Sequence, residues 1–330
     1  MEIGDVLTKP KVLVTCPIAQ QATQKLREIA EVKLNPSAHP FTKEQLRKEV
    51  ADINAIILGA DKFDEELMAA APRLKMIARY GVGYDNVDVK TATSRRIFVT
   101  YTPSVLSDAV ADLTFALILA LSRRITEADS YVKSGKWGRS PFPLGLDLAR
   151  KTLGIVGLGH IGTKVIERAR AFNMSIIYYD IVRNKQAEEK YGAKPVTLKE
   201  LLKQSDYVSL HVPLTEKTEA LIGKNELALM KSTAFLINTS RGPILDQQAL
   251  YEALKEKKIA GAGLDVFQHE PIESNEPMLK LSNVVLTPHM GSGTVETRLA
   301  MALMAVDDVI RVLKGKDPTN VVNIELLERR

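Results

Sequence analysis

The chain has 330 residues, 45% hydrophobic and 26% charged, which is enough to bury two cores and too apolar for a disordered polymer. Forty-five basic against 40 acidic residues leave a net charge of +5 with no run of five basic residues, so nucleic acid is not an expected partner. Cys16 is the sole cysteine, which excludes an intramolecular disulfide and a cysteine zinc site.

Residues 1–10 lack a basic region followed by an apolar core, and the longest apolar run, 115–121, is too short to span a bilayer. A cytoplasmic protein with no membrane partner and no metal is expected. From residue 11 the chain alternates strand-like segments (11–15, 32–34, 55–58, 74–78, 97–100) with helix-like ones (20–30, 43–50, 87–94). This predicts a parallel α/β sheet without a glycine fingerprint. Residues 105–132 then read as one long, interrupted helix, so apolar that it must be buried between domains or against another subunit. Trp137, the sole tryptophan, is expected to be buried.

A second alternating block runs from 153 to 289, with strands at 153–156, 175–179, 207–212, 234–238, 261–266 and 284–286. A final helix over 295–313 is apolar around much of its circumference, so it is expected to cross back to the first sheet. The domains are then discontinuous: 1–103 with 293–330 form one, and 104–292 form the other.

The second block opens with T-L-G-I-V-G-L-G-H-I-G, a strand running into a glycine turn. In a dinucleotide fold Gly157 permits the tight turn, Gly159 lets a pyrophosphate approach the backbone, and Gly162 lets the helix pack on the strand. The next strand ends in Asp180, 18 residues after Gly162 and near the roughly 20 expected of the carboxylate that holds the ribose. Its charge would repel a 2′-phosphate, so NADH is favoured. Arg183, three residues on, could reach such a phosphate, so NADPH stays open.

Arg241, Glu270 and His289 follow the ends of later strands, where open parallel sheets bind ligands. Reduction of a 2-keto acid needs a proton donor, a cation for the carboxylate and keto oxygen, and a group that keeps the donor protonated. A histidine, an arginine and a carboxylate meet those needs.

Five ordered motifs carry a family resemblance: V-G-Y-D-N-V-D (82–88), G-L-G-H-I-G, I-N-T-S-R-G-P-I-L-D (237–246), G-L-D-V-F-Q-H-E-P (263–271) and T-P-H-M-G-S-G-T (287–294). Across nearly the whole chain the sequence resembles the D-isomer-specific 2-hydroxyacid dehydrogenases. The resemblance implies a flavodoxin-like substrate domain and a Rossmann NAD-binding domain, with the active site in the cleft between them. It implies Arg241, Glu270 and His289 as the catalytic set, and Val82, Gly83, Arg241 and His289 as substrate contacts. For the cofactor it implies Gly157, Gly159, His160, Ile161, Gly162, Asp180, His211, Pro213, Thr239, Ser240, Arg241, Asp265 and His289. It also implies a homodimer formed through the long helix after Pro103.

The segment T-P-S-V-L-S-D-A-V-A-D-L (102–113) looks like that of glyoxylate and hydroxypyruvate reductases, whereas K-W-G-R-S-P-F (136–142) looks like that of phosphoglycerate dehydrogenases. Reduction of glyoxylate or hydroxypyruvate is therefore the first expectation. D-3-phosphoglycerate dehydrogenase is the nearest alternative, and a dinucleotide-sensing corepressor is an alternative of another class.

Overall fold

The computed structural model describes residues 9–37 and 39–328. The expectation about residues 1–10 falls almost entirely outside them. The chain divides into two compact units, Met1–Leu106 with Gly293–Arg330, and Ser107–Ser292.

The first unit runs β1 (Lys11–Val14), α1 (Gln20–Arg27), β2 (Glu31–Leu34), α2 (Lys43–Glu49), β3 (Ala55–Leu58), α3 (Glu65–Ala70), β4 (Met76–Arg79), α4 (Val89–Ser94) and β5 (Phe98–Thr100). Its strands form a parallel sheet in the order β2-β1-β3-β4-β5, the flavodoxin-like order. Every residue of β3 is buried, so the strand reads as an unbroken apolar run rather than an alternating one.

The second unit begins with α5 (Ser107–Ser122) and α6 (Ile125–Lys133), followed by β6 (Thr152–Val156), α7 (His160–Ala171), β7 (Ser175–Tyr179), α8 (Lys185–Tyr191) and β8 (Lys194–Pro195). It continues through α9 (Leu198–Gln204), β9 (Tyr207–Leu210), α10 (Lys224–Leu227), β10 (Phe235–Asn238), α11 (Gln247–Lys255), β11 (Gly261–Leu264) and β12 (Val284–Leu286). The parallel order β12-β11-β10-β9-β6-β7-β8 contains the doubly wound dinucleotide order, with the switch point between β6 and β9.

Three expectations change here. The long helix breaks at Arg123 and Arg124, and Arg124 takes a left-handed φ of 55°. The break has a tertiary cause, because the carbonyl of Ser122 accepts a hydrogen bond from Leu146 N at 2.7 Å. Nor is an outside partner needed to cover α5. Its Ala111, Phe115, Leu117, Ile118 and Leu121 join a core with Leu153, Ile155, Val165 and Ile237 of its own unit. Trp137, expected inside, is 77% exposed.

The last helix, α12 (Val295–Leu313), packs on α1, β3 and β4 of the first unit. The chain beyond it is held by Asp308, which is fully buried and accepts hydrogen bonds from Thr319 and Asn320. It then runs beside β5, where Val322 N donates to Val99 O at 2.8 Å and Val99 N donates to Asn323 Oδ1 at 2.9 Å. Among the described residues no helix is long and apolar enough to cross a membrane.

Candidate active site

At the carboxyl end of β6 the chain turns through Gly157, whose φ of +95° is open to glycine and strained for other residues. A Cβ there would also lie 2.8 Å from the backbone of His211. At Gly162 a Cβ would run into the carbonyl of Gly157, so α7 sits against the turn only because position 162 has no side chain. Gly159, the N-cap of α7, faces open space, and exposed His160 and half-buried Ile161 begin the helix.

Asp180 sits at the end of β7. Its Oδ2 accepts Leu158 N of the glycine turn at 2.7 Å, and its Oδ1 accepts Val182 N at 3.1 Å. Arg183 does not turn to Asp180: its Nε and Nη2 lie 2.8 Å from the two oxygens of Glu188.

On the other side of the switch point, His211 Nε2 lies 2.8 Å from Ser209 Oγ, while its buried Nδ1 has no hydrogen-bond partner among the described residues. Burial pushes the ring's pKa down to about 3, so this imidazole is neutral. Pro213 lies two residues on, and its carbonyl accepts Thr218 Oγ1 at 2.6 Å. The open cradle at Gly159, the orphaned His211 nitrogen and the carboxylate of Asp180 together fit a dinucleotide.

Asn238 organises the loop after β10. Its Oδ1 accepts Ser240 N and Ser240 Oγ, and its Nδ2 donates to the carbonyl of Arg241 at 2.8 Å. Thr239 Oγ1 lies 3.1 Å from Thr114 Oγ1 of α5, so the helix buttresses this loop. Arg241 Nη1 donates to Ser240 O at 2.8 Å. Gly242 lies against the backbone of Phe267 and Gln268, which a Cβ would overlap. The loops that carry Arg241 and Glu270 are thereby pressed together.

His289 Nδ1 and Glu270 Oε2 lie 2.6 Å apart. The other Glu270 oxygen accepts Phe267 N at 3.0 Å, which fixes the carboxylate plane. Burial alone would raise the Glu270 carboxyl. The hydrogen bond to His289, the charge of His289, the Phe267 amide and the charge of Arg241 outweigh it and hold the group below its ordinary range.

Asp265, fully buried, shapes the histidine loop. Its carboxylate accepts Thr287 Oγ1, Met290 N and Gly291 N, and its carbonyl accepts His289 N. Burial raises its carboxyl despite those bonds. Met290, Gly291 and Thr287 surround the acid, so its place is set by the protein's own backbone.

In the first unit, Val82 and Gly83 lie on the loop after β4. Arg79 reaches under this loop, donating from Nη1 to Tyr80 O at 2.6 Å and from Nε to Asn86 Oδ1 at 3.0 Å. Asn86 in turn donates to the carbonyls of Gly59 and Asp61. Arg79 lies outside the five motifs, and Asn86, Asn238 and Gly242 lie inside them without a role that the sequence assigns. The legible signal was a polar residue closing each apolar strand, M-I-A-R and F-L-I-N. Cys16 is a free thiol whose pKa burial pushes up to about 12, which leaves it inert. Among the described residues no three His, Cys, Asp or Glu side chains group as a metal site.

The family model "D-isomer specific 2-hydroxyacid dehydrogenase, NAD binding domain" matches residues 115–291. A glyoxylate reductase of Korarchaeum cryptofilum is 49% identical over 326 residues, covering 98% of each chain. One of Thermococcus litoralis is 50% identical over 328 residues, covering 97% of this chain and 98% of its own. The chain belongs to the D-isomer specific 2-hydroxyacid dehydrogenases. As a member it is an NAD(P)-dependent oxidoreductase that acts on the CH–OH group of small 2-hydroxy acids. Among solved dehydrogenases, the NADPH-dependent glyoxylate/hydroxypyruvate reductase of Sinorhizobium meliloti, in complex with NADP and malonate, has a TM-score of 0.85. It is 34% identical, covering 96% of this chain and 97% of its own.

Proposed function

We propose that this dehydrogenase reduces glyoxylate or hydroxypyruvate to the D-2-hydroxy acid, with NADH favoured over NADPH. The single observation that carries the reading is the 2.6 Å contact between His289 and Glu270, on a loop pressed against the one that holds Arg241. When bound, the reduced nicotinamide supplies the hydride. With Nδ1 committed to Glu270, His289 has Nε2 left to give a proton to the forming alkoxide. Glu270 orients the ring through its 2.6 Å contact with Nδ1. The planar fork of Arg241 polarises the keto oxygen and grips the carboxylate, and the backbone at Val82 and Gly83 is a further contact for the substrate in this proposal.

In this reading residues 1–103 with 293–330 bind the acid and 104–292 bind the dinucleotide. Gly157, Gly159, His160, Ile161 and Gly162 take the pyrophosphate and Asp180 takes the ribose. His211, Pro213, Thr239, Ser240 and Asp265 line the nicotinamide side. The names of the two archaeal relatives support glyoxylate as the substrate. A homodimer belongs to the same proposal, supported by several exposed apolar residues on and after α6. They include Ile125, Val132, Trp137 and Leu144, the last 94% exposed. A cytoplasmic setting suits a chain whose one cysteine is a free thiol.

Initial rates with NADH across glyoxylate, hydroxypyruvate and phosphohydroxypyruvate test the substrate. A clear preference for the phosphorylated acid reassigns the protein as a phosphoglycerate dehydrogenase. His289→Gln should abolish reduction while NADH still binds, and full activity in that variant would overturn the proton-donor role.

A further inference from the structure

We infer that Glu188 is a specificity-determining residue: by pairing with Arg183 it withholds that guanidinium from a ribose 2′-phosphate and keeps this dehydrogenase on NAD(H). The inference rests on the proposal that the adenosine ribose lies at Asp180.

The turn after β7, D-I-V-R-N, is tethered at both ends to one residue of the glycine turn. Leu158 N donates to Asp180 Oδ2 at 2.7 Å, and Asn184 Nδ2 donates to Leu158 O at 3.1 Å. Arg183, the one basic side chain in these five residues, sits between the tethers. A 2′-phosphate beside Asp180 would bring like charges together and would need a cation from this turn. Arg183 is where one would come from, and it is engaged elsewhere.

That engagement is a two-point fork. Arg183 Nε and Nη2 each lie 2.8 Å from a separate oxygen of Glu188. The carboxylate is the fixed partner. Its Oε1 also accepts Tyr178 OH at 2.7 Å, and Tyr178 is a core residue whose hydroxyl accepts Asn184 N at 3.0 Å. The Glu188 side chain is 17% exposed and that of Arg183 is 63% exposed, so the arginine is drawn to an anchored acid. The hydrogen bonds from Arg183 and Tyr178 hold the Glu188 carboxyl down to about 2, so the fork stays charged into acid pH.

Discrimination is then a difference of affinities with a repulsive element, Asp180, and a withheld attractive one, Arg183. The fold itself does not dictate the choice, since the structure from Sinorhizobium meliloti was solved with NADP.

The test is calorimetric binding of 2′,5′-ADP and 5′-ADP to the protein, alongside kcat/KM for NADPH and NADH. Glu188→Gln keeps an acceptor for Tyr178 and removes the charge. It should tighten 2′,5′-ADP relative to 5′-ADP by about tenfold and move the NADPH to NADH ratio the same way. Adding Arg183→Gln should cancel the gain. An unchanged ratio in Glu188→Gln, or a gain that survives the second substitution, overturns the inference.

Should Glu188→Gln fold poorly, Arg183→Gln alone decides: no loss of NADPH use is expected, and a marked loss shows that the arginine already serves the phosphate. Asp180→Ser separates this from the underlying reading. If it leaves the ratio unchanged, the ribose assignment fails; if it shifts the ratio while Glu188→Gln does not, only the role of the fork fails.

Discussion

Asp265 holds His289 in a left-handed backbone conformation: φ of His289 is 50°, its amide donates to Asp265 O at 2.8 Å, and the next two amides donate to the Asp265 carboxylate. A non-glycine residue in this region persists only where its surroundings over-determine it. Three backbone bonds and the Thr287 hydroxyl supply that constraint around one buried acid.

Asp265→Asn replaces one acceptor oxygen with an NH2 group that must face an amide or a hydroxyl. Thermal unfolding should show a loss of about 1–3 kcal/mol for the mismatched buried group. Because the histidine would wander, kcat should fall by up to about a hundredfold, with a smaller effect on NADH affinity. Wild-type kcat in this variant would mean that the loop is positioned by other contacts.

Glu270→Gln removes the charge beside His289 and should lower kcat by at least about tenfold. The pH dependence of stability carries its own sign. The folded carboxyl titrates below its ordinary value of 4.5, so its contribution is present above that value and is lost as pH falls through the depressed one. Melting temperatures measured from pH 7 down to pH 3 should therefore drop less steeply in Glu270→Gln than in the wild type.

Gly242→Ala places a methyl group into the backbone of Phe267 and Gln268. Relief requires the Arg241 and Glu270 loops to move apart. We expect a destabilisation of about 2 kcal/mol or more in denaturant titration, accompanied by a loss of activity. An alanine variant with wild-type stability would show that the two loops are not tightly packed.

Arg79→Met should loosen the loop that carries Val82 and Gly83, because the bonds to Tyr80 O and Asn86 Oδ1 disappear. A rise in KM for the keto acid of about tenfold, with NADH binding unchanged, is the expected signature. Equal damage to NADH binding would point to general misfolding.

Much of this architecture is legible in the sequence wherever the signal is local. The run A-I-I-L reads as a buried parallel strand, and G-L-G-H-I-G followed by an acid after the next strand reads as a nucleotide turn. What escapes is set by tertiary contacts. Nothing near Arg124 announces that Leu146 returns to Ser122 and ends α5. The short α3 is capped by Asp64, whose side chain accepts Leu67 N, and six residues are too few to show a helical period. In the site, Arg241, Glu270 and His289 stand out by residue type. The work of Asp265, Asn238 and Arg79 is invisible until their backbone partners are known.

The unit built from both ends of the chain has a consequence for how the protein is made. Ser107–Ser292 is continuous and can close on itself once it has left the ribosome. The five-stranded sheet is synthesised before that unit yet must wait for α12 and for the Val322 and Asn323 contacts to β5, which emerge after it. During that interval α2, α3 and α4 can already cover one face of β3 and β4, but the face that α12 covers is bare, which opens the nascent sheet to aggregation and to capture by chaperones.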